Sequence, residues 1–95
     1  MSDQLQTVRK EIDQLNIELV SLLEQRMYLV QQVLDYKRKQ RLPILDQARE
    51  ARTLEKIADE VHNKAYQPAI LESFQAIMAA SRHFQDKISE ETNHA

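Results

Sequence analysis

The chain has no cysteine, no glycine and no tryptophan. Without cysteine there is no disulfide framework, thiolate metal site or thiol nucleophile. Without glycine there is no dinucleotide-binding fingerprint and no P-loop, because both need residues lacking a Cβ where the backbone turns against phosphate. No apolar run approaches the roughly eighteen residues that a membrane-spanning helix needs. The N-terminal Met-Ser-Asp-Gln lacks the basic start and apolar stretch of a secretory signal, so an intracellular, cytoplasmic chain is expected. Neither sign of charge dominates: the formal net charge is −2, which argues against broad affinity for nucleic acid or membranes.

What is present is mostly helix-forming sequence in a chain of 95 residues, enough for one domain. We take 1–95 as that domain, with a core at 5–88 and a polar tail at 89–95. A chain of this size buries only about 60–65% of its unfolded surface, so it folds marginally alone or shares a core with a partner.

Residues 3–40 contain neither proline nor glycine. Their stripe positions are Leu5, Val8, Ile12, Leu15, Leu19, Leu22, Arg26, Leu29, Val33 and Tyr36. Steps of three and four make this a helical seam close to a heptad. Asp3 suits the start as a cap, and Lys37, Arg38, Lys39 and Arg41 suit the negative end of the macrodipole. Pro43 is expected to stop the helix. Asp46 is a natural N-cap for a second helix over 47–63, with Ala51, Leu54, Ile57, Ala58 and Val61 on its buried face. After a break from Asn63 to Gln67, Pro68 suits the first position of a third helix. Its apolar face carries Ile70, Leu71, Phe74, Ile77, Met78 and Ile88, and the polar end from Glu90 is expected to fray. The fold class is therefore all-α, three helices with a long first one.

A helix over 3–40 is about 57 Å long, whereas a compact globule of this size is roughly 30–35 Å across. Either the first helix breaks or bends, or another chain covers the rest of its stripe. An intertwined homodimer is the favoured reading, since two-fold dimers are the commonest closed assembly.

Polar residues interrupt these stripes. Arg26 sits between Leu22 and Leu29, where a buried guanidinium is costly unless paired. Lys37 follows Val33 on the same stripe and shares a face with Arg26, about 16 Å further along the axis. Ser81 and Gln85 stand i, i+4 between Met78 and Ile88 on the third helix. Each has an ordinary structural explanation: an interhelical salt bridge, a lysine snorkelling to water, a small residue that fits, a satisfied core amide. Together they concentrate rule-breaking in the way functional sites do. No excess of inward carboxylates is available to balance the two cations, which points to an anionic ligand.

At the start of the second helix, Asp46 and Arg49 fit a cap and its partner. Arg49 nevertheless opposes the macrodipole there, and beside exposed amides it makes a reasonable anion seat, with Glu50 adjacent. Arg9 lies about 25 Å from Arg26 along one helix, so both cannot touch one small molecule unless Arg9 serves a partner chain's site. His62, His83 and His94 lack metal-ligand spacing and read as surface residues. Arg38 to Arg41 lacks the aromatic interleaving of a nucleic-acid patch.

Several segments, taken in order, resemble the all-helical chorismate mutases. They are Val8-Arg9-Lys10-Glu11-Ile12-Asp13, Glu24-Gln25-Arg26, Tyr36-Lys37, the run from Leu42 to Glu50, and the pair Ser81 and Gln85. The resemblance covers about residues 5–88, although the connection before the third helix lacks the glycine often seen in that family. It implies a domain-swapped dimer of three-helix chains that rearranges chorismate to prephenate, on the route to phenylalanine and tyrosine, without metal or cofactor. It also implies that Arg26, Lys37, Arg49 and the other chain's Arg9 bind the substrate's two carboxylates and ether oxygen. Asp46, Glu50 and Ser81 would order its hydroxyl and nearby groups, and Gln85 would join Lys37 at the ether oxygen. On this reading Lys37, Gln85 and Arg26 carry the catalysis. Two alternatives are an isochorismate–pyruvate lyase on the same fold, which the acidic Asp46 and Glu50 disfavour, and a non-catalytic helical dimerisation module.

Overall fold

Three helices and one 3-10 turn account for nearly all of the computed structural model, which describes residues 2–94 and the side chains of 3–91. Helix α1 is Ser2–Lys39, α2 is Gln47–Glu60 and α3 is Gln67–His94, with the 3-10 turn Lys64–Tyr66 leading into α3. No strand occurs among the described residues. The chain divides into two compact units, 1–32 and 33–95.

The first unit is the greater part of α1. Its helix begins at Ser2, so Asp3 lies within the first turn instead of capping it, where its charge still complements the positive helix end. The helix is not broken near its middle. Every described residue from Asp3 to Gln25 is exposed, including Leu5, Val8, Ile12, Leu15, Leu19 and Leu22 of the seam. The apolar stripe read from the sequence is thus helical but bare within this chain.

In the second unit α1 ends at Lys39, well before Pro43. Its closure is a Schellman arrangement: Leu42 N–H donates to Lys37 C=O at 2.8 Å and Arg41 N–H to Arg38 C=O at 3.2 Å. This geometry requires a left-handed residue, and in a chain without glycine Arg41 fills it, with φ 55°. A Cβ in that conformation is strained. Arg41→Gly is therefore expected to stabilise the fold by about 0.5–1 kcal/mol, net of glycine's extra freedom in the unfolded chain. Thermal unfolding by circular dichroism should show Tm raised by a few degrees. A lower Tm would mean that the Arg41 side chain contributes more than its backbone strain costs.

Asp46 caps α2 as expected, its Oδ1 accepting from Arg49 N–H at 3.0 Å. The helix ends at Glu60, earlier than the pattern suggested, with Val61 as an extended C-cap. The Ala58 carbonyl there accepts from Val61 N–H at 3.3 Å, and from Lys64 Nζ and Gln67 Nε2, both at 2.9 Å. Donors from beyond the helix thus satisfy a carbonyl that further turns would otherwise have used. Leu54, Ile57, Ala58 and Val61 are half-buried, but Ala51 is exposed and drops out of the expected buried face. Asn63 caps the 3-10 turn by accepting from Ala65 N–H at 3.0 Å. Helix α3 then starts at Gln67, one residue before Pro68, and continues through the polar residues to His94. The unit's core is small: among the described residues Leu34 and Met78 are its buried apolar residues, and Ser81 and Gln85 are buried with them.

Candidate functional site

The spacing Met78, Ser81, Gln85 puts all three residues on one face of α3. Met78 and Gln85 are each 6% exposed and Ser81 is 5% exposed. Two polar side chains therefore occupy positions that burial would reserve for apolar ones. Ser81 Oγ donates back to Ile77 C=O at 2.9 Å. No buried side-chain nitrogen or oxygen among the described residues lacks a partner, so this polar layer is satisfied.

Lys37 enters from the last turn of α1. It is half-buried, and its Nζ donates to Ile44 C=O at 2.7 Å instead of reaching into water. Lys37 C=O also accepts the bond that closes the Schellman turn. The residue therefore grips the 40–45 segment by both its backbone and its side chain. An ammonium carries three donors, and the bond to Ile44 engages one of them. Lys37, Leu42, Pro43, Leu45, Asp46 and Gln47 line a pocket of about 480 Å³, so a cation and a carboxylate named from sequence share one wall. Asp35, Arg38 and Lys39 line a second pocket together with Ser89, which places the end of α1 beside α3 one helical turn beyond Gln85.

The first turn of α2 distributes its charges in different directions. Asp46 is exposed, and one of its oxygens is committed to the cap. Arg49 is exposed and lines a wider, largely apolar groove of about 660 Å³ with Thr53, Ile57, Ile70 and Phe74, rather than the pocket that holds Lys37. Glu50 is half-buried and forms an ion pair with Arg82 of α3, both carboxylate oxygens lying 2.5 Å from Nη1. Sequence reasoning missed Arg82. Its signal was available, since it falls four residues after Met78 and three before Gln85, on the flank of the core-facing stripe.

Arg9 and Arg26 belong to the first unit, where Arg9 is exposed and Arg26 half-buried. His62 and His83 are exposed, as expected of surface residues, while the side chain of His94 lies outside the described residues. Among the described residues no group of three or more His, Cys, Asp or Glu could hold a metal ion, and no helix is long and apolar enough to cross a membrane.

The candidate residues of the second unit are thus a half-buried cation at the end of α1, buried hydroxyl and amide groups on α3, and a charged first turn on α2. Such a set can hold and polarise an anionic ligand. The profile of the family described as chorismate mutase type II matches residues 8–86. No curated protein and no solved structure matches the chain.

Proposed function

Because the chain belongs to the chorismate mutase type II family, we propose that it converts chorismate to prephenate, in the cytoplasm, as a step toward phenylalanine and tyrosine. The observation that carries this reading is the extent of the family match, which encloses every candidate position from Arg9 to Gln85. The physical chemistry of those positions suits the reaction. A [3,3] rearrangement breaks a C–O bond and forms a C–C bond within one molecule, so it needs no nucleophile, metal or proton transfer. The substrate is a flexible dianion that reacts through a compact, chair-like conformer. Cations fixed on helices can hold that conformer and meet part of the entropic barrier on binding.

As the C–O bond breaks, negative charge grows on the ether oxygen. We assign Lys37 and Gln85 as the donors to it, and Arg26, Arg49 and Arg9 to the two carboxylates. Asp46, Glu50 and Ser81 order the ring hydroxyl and its surroundings. Capping by one oxygen of Asp46 leaves the other for a ligand. Arg9 comes from a second copy of the chain, because about 25 Å of helix separates it from Arg26. The bare stripe from Leu5 to Leu22 supports the same dimer: it is the surface an intertwined copy would cover.

The test is turnover by the purified chain of chorismate and, in parallel, isochorismate. Prephenate from the first at a kcat/KM at least tenfold above that for pyruvate release from the second is the expected result. The reverse order would make the chain a lyase, and turnover of neither would leave a dimerisation module.

A further inference from the structure

Glu50 poses an electrostatic problem for the proposed reaction. A carboxylate that orders the substrate's hydroxyl must stand beside a dianion, and an uncompensated negative charge there would repel the molecule it is meant to hold. The structure contains a compensating charge. Both oxygens of Glu50 meet Nη1 of Arg82, across from α2 to α3, with the two side chains only 27% and 29% exposed. Arg82 also sits between Met78 and Gln85 along α3, on the flank of the buried polar layer, and is half-buried there.

We infer that Arg82 is a positioning residue for substrate binding, which holds the Glu50 carboxylate in one orientation and cancels its charge toward the dianion. The inference rests on the proposed mutase reaction. Arg82 acts through Glu50, and the hydroxyl that Glu50 orders does not react. Its contribution is therefore equal in the ground and transition states, and its loss should raise KM and leave kcat nearly unchanged.

The experiment is a double-mutant cycle on the full chain with chorismate, using Arg82→Met, Glu50→Gln and both together, and circular dichroism to verify helix content. Arg82→Met is expected to raise KM about tenfold, the scale of one charge-assisted hydrogen bond, with kcat within about twofold of the parent. Arg82→Lys should recover part of that loss, because it keeps the charge but not the planar fork. In the Glu50→Gln background, where no carboxylate remains to be compensated, Arg82→Met should raise KM by less than about twofold. A tenfold rise in both backgrounds would overturn the inference, since Arg82 would then act independently of Glu50. So would a KM within twofold of the parent, or a fall in kcat that matches the fall in kcat/KM. Should Arg82→Met lose helix content, the same cycle run with Arg82→Lys decides on the same criterion of a KM effect confined to the Glu50 background. A parent chain that leaves chorismate unchanged would overturn the proposed reaction, and this inference with it.

Discussion

Lys37→Ala lowers kcat on chorismate about 10²- to 10³-fold, and Gln85→Ala lowers it about 10²-fold, each with a smaller change in KM. The size follows from where the reaction puts charge. The ground-state ether oxygen is a weak acceptor, and it becomes a strong one as the C–O bond breaks. Donors aimed at it therefore act mainly in the transition state. Both groups are held in advance. Lys37 Nζ is fixed 2.7 Å from Ile44 C=O, and Gln85 is only 6% exposed on the core face of α3. Neither must be reorganised during the reaction, the condition under which one donor is worth about 2.7–4 kcal/mol. Lys37→Ala also removes the bond to Ile44, so its helix content and Tm must be measured beside its kinetics. Gln85→Leu provides the second control, because it fills the volume and removes only the amide. A non-catalytic helical module would tolerate these changes and could gain stability from them. Steady-state kinetics that place Lys37→Ala and Gln85→Ala both within twofold of the parent would remove these residues from the proposed site.

Arg9→Ala and Arg26→Ala should each be nearly inactive as homodimers, yet active when mixed. Unfolded together in equal amounts and refolded, they pair at random, and about half of the dimers contain one chain of each kind. A two-fold dimer has two equivalent pockets. In a mixed dimer one pocket combines the intact Arg26 of one chain with the intact Arg9 of the other, and the second pocket lacks both. About a quarter of all pockets, and so about a quarter of the parent activity, should return if the pockets act independently. The motivation is structural: both arginines lie on α1, about 25 Å apart along its axis, with the apolar stripe beside Arg9 exposed. A mixture no more active than its components, with mixed dimers verified by mass, would mean that Arg9 does not complete a neighbour's pocket.

How much of this could be read without a structure depended on the range of the interaction involved. The three helices were legible because periodicity, the Asp46 cap and the positions of Pro43 and Pro68 are local signals. Ser81 and Gln85 were legible as buried polar residues because Met78 and Ile88 fix the face they share. The end of α1 was legible to within one residue, but the residue that closes it was not, because a glycine-free turn gives no sign of which residue will take the left-handed conformation, and Arg41 took it. The end of α2 was hidden for another reason: the Ala58 carbonyl is capped by the side chains of Lys64 and Gln67, from beyond the helix. Arg82 escaped notice because its partner, Glu50, lies 32 residues away, so its place on the flank of the core-facing stripe pointed to no particular pairing. Arg49 was identifiable as a cation in an unfavourable first turn, but not as one facing the α2–α3 groove.

The central claim is that this chain rearranges chorismate by preorganised charge alone. Its most direct measurement is prephenate formation from chorismate by the purified chain with EDTA present, in water and in heavy water under matched conditions. The proposal predicts saturable formation of prephenate at a rate unaffected by EDTA, with a kcat ratio between the two solvents near one, because no proton moves as the bonds exchange. No prephenate above the uncatalysed rate would contradict it, as would a solvent isotope effect above about 2, the mark of rate-limiting proton transfer.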